Sequence, residues 1–237
     1  MLLENKNKLK LIANTLEEFF GKQKLSIKPP LDTIIAIILT QSTNDIIALA
    51  AFNKLKAISS NLNNFPDISL EDLEEIIKIS GLKKQKAISI KSVLTVIKQN
   101  ELFFEQLKEL EFKNAVKKLT LLKGVGLKTA TCTLMFGLGF DLCPVDTHVN
   151  RVLCRLGFVP SNSHPDKTFY RIMDLIPKNK GFSLHTNLIS IGRNYCRPQN
   201  PACYECPIKN QCNFKEKNMD ITIKTNKVKS IFIVEYI

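Results

Sequence analysis

Four of the chain's seven cysteines fall in one stretch, CRPQNPACYECPIKNQC, from Cys196 to Cys212, at spacing C-x6-C-x2-C-x5-C. Structural zinc usually takes two separated knuckles, each with two closely spaced ligands. Here only Cys203 and Cys206 make such a pair, and the flanking gaps of six and five wrap a single compact loop. That spacing suits an iron–sulfur cluster on four thiolates better than zinc, with zinc the chief rival. A chance group of unligated thiols fits less well than either. There is no second set of cysteines, so electron transfer as the main task has no support. Cys132, Cys143 and Cys154 are scattered through apolar sequence and read as small buried hydrophobes.

The rest of the 237 residues looks like an ordinary globular chain, with 44% apolar and 24% charged residues. The longest aliphatic run, Ile34 to Leu39, is far too short to span a bilayer. The N-terminus carries charge where a secretory signal has its apolar core. A soluble, cytoplasmic protein with no membrane partner is expected, and a disulfide framework is not. Lys and Arg number 34 against 22 Asp and Glu, a net charge of +12. A Lys-rich solvated surface would account for this, and so would a polyanionic partner such as nucleic acid.

Nearly every segment has helical spacing. Leu9, Ile12, Leu16, Phe19 and Phe20 predict a first helix ended by Gly21. LDTIIAIILTQ, Leu31 to Gln41, is apolar on nearly all sides, as a central buried helix would be. Ser69 and Asp72 form a capping-box pattern ahead of LEEIIKIS, with Gly81 beyond it, and a further helix runs from about 83 to 99. Helices over 112–121 and 128–138 flank KGVGLK, and Asp146 is placed to cap another. The tail, Ile221 to Ile237, is rich in β-branched residues and reads as a small hairpin or a loose appendage.

Two positions carry candidate chemistry. In KGVGLK, Gly124 and Gly126 would permit unusual φ and close backbone approach, and Val125 can anchor the turn. The helix that follows would point free N–H groups at an anion, a seat for a nucleic-acid phosphate. Taken alone, G-V-G marks only a helix stop. Lys128 lies in the first turn, where the dipole disfavours a cation. A lysine that acts as a nucleophile gains from such a position. Asp146 in PVDTH is by itself a cap. It is also an anionic partner for Lys128 if the chain folds back.

Taken together, KGVGLKTA, PVDTHVNRVLCRLGF and the cysteine loop, in that order, resemble the endonuclease III family, the iron–sulfur branch of the helix-hairpin-helix DNA glycosylases. The resemblance spans about residues 5–213. It implies an all-α, two-lobed fold with a C-terminal [4Fe-4S] cluster on Cys196, Cys203, Cys206 and Cys212. It also implies a base-excision enzyme acting as a monomer on double-stranded DNA with damaged bases or abasic sites. Lys128 falls on the family's Schiff-base lysine and Asp146 on its catalytic aspartate. Gln41 matches the residue filling the space of the flipped nucleotide, and Leu82 the wedge beside it. Gly124, Val125 and Gly126 form the DNA-binding hairpin. The lysine favours a bifunctional glycosylase and β-lyase for oxidised, ring-saturated or fragmented pyrimidines. The alternatives are a glycosylase for uracil or thymine opposite guanine, and a non-catalytic DNA-binding iron–sulfur module.

Several positions depart from the family pattern: Lys123 replaces a common Pro, Leu127 a common Arg, and Asn44 a common Asp. The stretch between Cys196 and Cys203 holds only Arg197 as a base, for which Lys83, Lys84, Lys86 and Lys209 are expected to compensate. The expected domains are a central one over 23–137, a second from 1–22 plus 138–213, and an extension over 214–237. Lys128 and Asp146 are expected to face one cleft.

Overall fold

The computed structural model describes residues 2–226 and 233–237. Among these, eleven α-helices alternate with loops and short 3-10 turns, and there is no strand. In chain order the helices are α1 (Leu2–Phe20), α2 (Pro30–Leu39), α3 (Asp45–Ile58), α4 (Leu70–Ile77), α5 (Lys83–Gln99) and α6 (Phe103–Lys108). They continue with α7 (Phe112–Thr120), α8 (Leu127–Leu138), α9 (Thr147–Leu156), α10 (Pro165–Met173) and α11 (Gly181–Asn194). The chain divides into two compact units, Met1–Leu25 with Asp141–Ser230, and Ser26–Phe140 with Ile231–Ile237.

The 26–140 unit is built around α2. Pro30 at its first turn needs no N–H partner and presets φ, and every residue from Leu31 to Leu39 is buried. α8 lies directly on it, because Gly137 has no side chain to hold the helices apart: a Cβ there would stand 2.9 Å from the Pro30 Cα. The hydroxyls of Thr131 and Thr133, buried in α8, donate back to the carbonyls of Leu127 and Thr129 at 2.8 Å each. Asp32 of α2 accepts from Lys56 of α3 at 2.7 Å, tying the start of one helix to the end of the next. Asn44 takes the cap of α3, accepting from the Ile47 N–H at 2.9 Å, so Asn in place of Asp costs the helix start nothing. Ser69 caps α4 as its pattern predicted. That helix gives way at Ile77 to a 3-10 turn over Lys78–Ser80, and Gly81 ends this turn rather than the helix.

In the other unit, Leu9, Ile12, Ala13 and Leu16 of α1 are buried on the side facing α11. The two helices are locked by Glu17, which accepts from Lys180 Nζ at 2.5 Å and Ser183 Oγ at 2.6 Å. Burial alone would raise that carboxyl's pKa, but the two hydrogen bonds outweigh it and hold it below the ordinary range. Cys132 and Cys143 are fully buried, and Cys154 is half-buried.

The tail forms no hairpin among its described residues. Residues 221–226 run as turn and coil, and Ile233–Glu235 form a 3-10 turn in which Ile233 and Val234 are buried. Its last residues are held by Lys28 Nζ, which donates to the Ile237 carbonyl at 3.0 Å. Ile233 and Val234 pack on a helix, α2. Residues 227–232 of that expected hairpin lie outside the described residues.

Candidate functional site

The turn between α7 and α8 shows that its two glycines do different work. Gly124 has φ +78°, and a Cβ there would stand 1.8 Å from Ser89 Oγ, so both conformation and space exclude a side chain. Gly126 does not have the unusual φ expected of it. At φ −84° and ψ 178° it is extended backbone, the cap residue of α8, with open space where a Cβ would be. Its hydrogen side chain leaves room for something outside the protein to approach the N–H groups of the first turn. Val125 between them is buried and pins the turn. Lys128, second residue of α8, is exposed.

Gln41 sits in the turn just past α2. Its side-chain amide donates to the Gly124 carbonyl and to Thr129 Oγ1, each at 3.3 Å. This places Gln41 on the hairpin, beside the residue that follows Lys128. Leu82 lies between Gly81 and α5 with φ +46°, and 49% of it is exposed. The left-handed conformation costs a residue with a Cβ about 1–2 kcal/mol, so its surroundings hold it there. An exposed, strained leucine is not the core leucine that its residue type suggests.

Lys86 departs from expectation. It is 1% exposed and adds nothing to a basic surface. Its Nζ donates to the carbonyls of Leu39 at 2.8 Å and Ser80 at 2.5 Å, and burial lowers its pKa to about 8. Lys209 donates to the Tyr204 carbonyl at 2.7 Å, with its ammonium over that ring at 4.8 Å, and Lys83 lies 3.9 Å from Glu74. Of the four lysines expected to add basic surface, only Lys86 is buried; Lys83 and Lys84 are exposed and Lys209 is partly exposed.

Asp146 belongs to the other unit, where it caps α9: Oδ1 accepts from the Val149 N–H at 2.7 Å. Two residues on, His148 Nδ1 lies 3.2 Å from Arg151 Nη2. Burial lowers the imidazole's pKa, helped by Arg151 and Arg193 and opposed by Asp146, so the neutral ring is favoured.

All four cysteines of the loop line one small cavity, together with Arg155, Tyr195 and Phe214. Among the described residues, no three His, Cys, Asp or Glu side chains already stand as ligands around a single metal ion. The donor set is uniformly sulfur. Burial raises the pKa of Cys196 and pushes Cys206 up to about 12, and mutual repulsion of the thiolates adds to both. A cationic group of matching size would relieve both costs, so the residues fit one.

Two arginines that the sequence reading passed over hold this loop. Arg155 donates to Cys196 Sγ at 3.3 Å and to the Arg197 and Pro198 carbonyls at 2.8 and 3.1 Å, and stacks on Phe214. Arg151 donates to the Cys196 carbonyl at 2.8 Å. Their i, i+4 spacing on α9 was the available signal. Arg197 is engaged at the surface, donating to the Asn200 and Lys224 carbonyls and to Asn226 Oδ1.

A model of the HhH-GPD superfamily, described as base excision DNA repair proteins, matches residues 35–178. Endonuclease III of Thermotoga maritima is 32% identical over 185 residues, 78% of this chain and 83% of that one. A solved structure of a trapped endonuclease III–DNA covalent intermediate superposes with TM-score 0.73 at 26% identity, covering 87% of this chain and 95% of that chain. A thermostable thymine-DNA glycosylase shares the fold with TM-score 0.73 at 19% identity, covering 89% and 97%. No described helix is long and apolar enough to cross a membrane.

Proposed function

The chain belongs to the HhH-GPD superfamily of base excision DNA repair proteins, and from that premise we propose that it is a bifunctional DNA glycosylase and abasic-site lyase for damaged pyrimidines. The observation that carries this reading is the Gln41 amide bonded to the hairpin at Gly124 and Thr129, immediately beside an exposed Lys128. An element suited to gripping a phosphodiester, a polar side chain suited to filling a vacated base position and an amine nucleophile then form one constellation. The likeness to endonuclease III supports the same assignment.

In this reading the hairpin takes a backbone phosphate at the N-terminus of α8. The damaged nucleotide leaves the stack while Gln41 and Leu82 enter the duplex. Extrusion costs a few kcal/mol of unstacking, part of which the inserted side chains return. Asp146 stabilises the cationic charge that develops on the sugar. The Lys128 nitrogen bonds to C1′ as the base departs with the glycosidic electron pair and takes up a proton. Ring opening gives a protonated imine. Loss of a C2′ proton and of the 3′ phosphate then breaks the strand, and water releases the lysine. Asp146 keeps its cap bond throughout, since one carboxylate oxygen is enough for that.

Cys196, Cys203, Cys206 and Cys212 would hold a [4Fe-4S] cluster, which cross-links their loop and takes no part in bond breaking. Elemental analysis giving four iron atoms per chain, rather than one zinc, is the result expected.

The deciding experiment is nicking of a duplex with one abasic site, with borohydride present to trap an imine. Cleavage with a trapped complex is expected; its absence would remove the enzyme assignment. A panel of single-lesion duplexes then distinguishes damaged pyrimidines from uracil or thymine opposite guanine.

A further inference from the structure

Lys86 is buried and takes no part in gripping phosphate, entering the duplex or breaking bonds. It is the longest charged side chain buried in the 26–140 unit, and a buried ammonium is costly unless its donors are met. Its two acceptors are backbone carbonyls, and they belong to different elements. Leu39 ends α2, and Ser80 ends the 3-10 turn that follows α4. Each carbonyl lies two residues ahead of a candidate insertion residue: Leu39 precedes Gln41, and Ser80 precedes Leu82.

The local backbone makes that bridge consequential. Gln41 and Leu82 lie on separate turns, and the Gln41 side chain is bonded to Gly124 and Thr129 rather than to the Leu82 turn. Ser80 adds a hydroxyl bond to the Ile77 carbonyl at 2.8 Å, but this holds the turn to itself. Gly81 at φ +68° and Leu82 at φ +46° are two successive positive-φ residues, and Leu82, like Ser42 at φ +52° next to Gln41, bears a Cβ that this region disfavours. The Lys86 ammonium lies at the root of that strained pair. It joins the carbonyl just ahead of that pair to the end of α2, and the Leu82 carbonyl in turn accepts from the Lys86 N–H at 3.0 Å.

We propose that Lys86 is a positioning residue that sets Gln41 and Leu82 at a fixed separation, so that both enter the duplex together when a nucleotide is extruded. The inference rests on the insertion roles given to those two side chains above. Lys86 touches neither DNA nor the reacting atoms. Its effect is therefore felt where extrusion is hard, and is small where the target nucleotide is already unpaired.

The test compares single-turnover base release by wild type, Lys86→Met and Lys86→Arg on two duplexes. One carries a ring-saturated thymine opposite adenine; the other places the same lesion in a one-nucleotide bulge. Lys86→Met is expected to lose up to about 10²-fold on the paired lesion and under about 3-fold on the bulge, with Lys86→Arg partly rescued. A 2-aminopurine beside the lesion should lose its rise in fluorescence in parallel. Equal losses on both duplexes, or none on either, would overturn the proposal. If Lys86→Met does not fold, Lys86→Arg against wild type is read by the same criterion. Gln41→Ala and Leu82→Ala run alongside: if neither is selective for the paired lesion, the insertion reading itself has failed. If they are selective and the Lys86 variants are not, only the present inference has.

Discussion

Gln41 and Gly124 meet through a 3.3 Å hydrogen bond across 83 residues of sequence, joining the turn after α2 to the hairpin ahead of α8. The glycine is there because nothing else fits. Gly124→Ala should destabilise the fold by about 1–3 kcal/mol, read as a lowered melting midpoint, since the new methyl meets Ser89 in a left-handed turn. Gly126→Ala should leave the midpoint nearly unchanged and weaken DNA binding, because its methyl projects into open space. Equal thermal effects of the two substitutions would contradict this division.

Lys128→Ala should abolish strand cleavage and the borohydride-trapped complex while leaving helix content intact. Lys128 is exposed on a helix whose next residues are buried, so truncating it leaves the packing of α8 alone. A trapped complex of normal yield from Lys128→Ala would show that another amine does the chemistry.

Asp146→Asn separates a structural role from a catalytic one. Asn caps helices about as well as Asp, so stability should hold within about 0.5 kcal/mol. Base release should slow by about 10²–10³-fold through loss of the negative charge, with abasic-site DNA still bound. A rate close to wild type would leave Asp146 as a cap and nothing more.

Lys86 gives the stability a defined pH dependence. Burial lowers its pKa from 10.5 to about 8, so between those values the unfolded chain holds a proton that the folded chain has released. Unfolding free energy from this group therefore rises with pH across that window, and the cost of burying the charge is fully present below it. Measured at pH 7.5 and 9.5, wild type should gain about 1–2 kcal/mol relative to Lys86→Met. A constant difference between the two proteins would show that the lysine titrates normally.

Arg155→Ala removes the donor to Cys196 Sγ and two carbonyl bonds that close the cysteine loop. Loss of bound metal to a chelator should become easier by about 10–100-fold, followed by visible absorbance, while α9 keeps its cap and its helicity. Unchanged metal retention would mean that the cysteines hold the loop without the arginine.

Much of the helical frame could be read from spacing, because helix boundaries are set by local chemistry. Asp146 and Ser69 cap where they stand, Gly21 stops α1, and the unbroken apolar run of α2 can only be an interior helix. In the tail, alternation was an incomplete guide: among the described residues Ile233 and Val234 bury against α2, because β-branched side chains suit any half-buried apolar surface. Lys86 misled for a related reason. A lysine in KKQKA is charged by composition, and only the arrival of two carbonyls from 47 and 6 residues away makes its burial tolerable.

The sequence by itself determined the helices, the family and the sulfur-only loop, since these depend on residue type at short range and in order. The tertiary structure decided which glycine is required by space, which arginines close the loop, and that the carbonyls of Leu39 and Ser80 meet at one buried ammonium. Those are matters of distance between segments remote in the chain, and a hydrogen bond or a clash exists only once packing has brought its two atoms together.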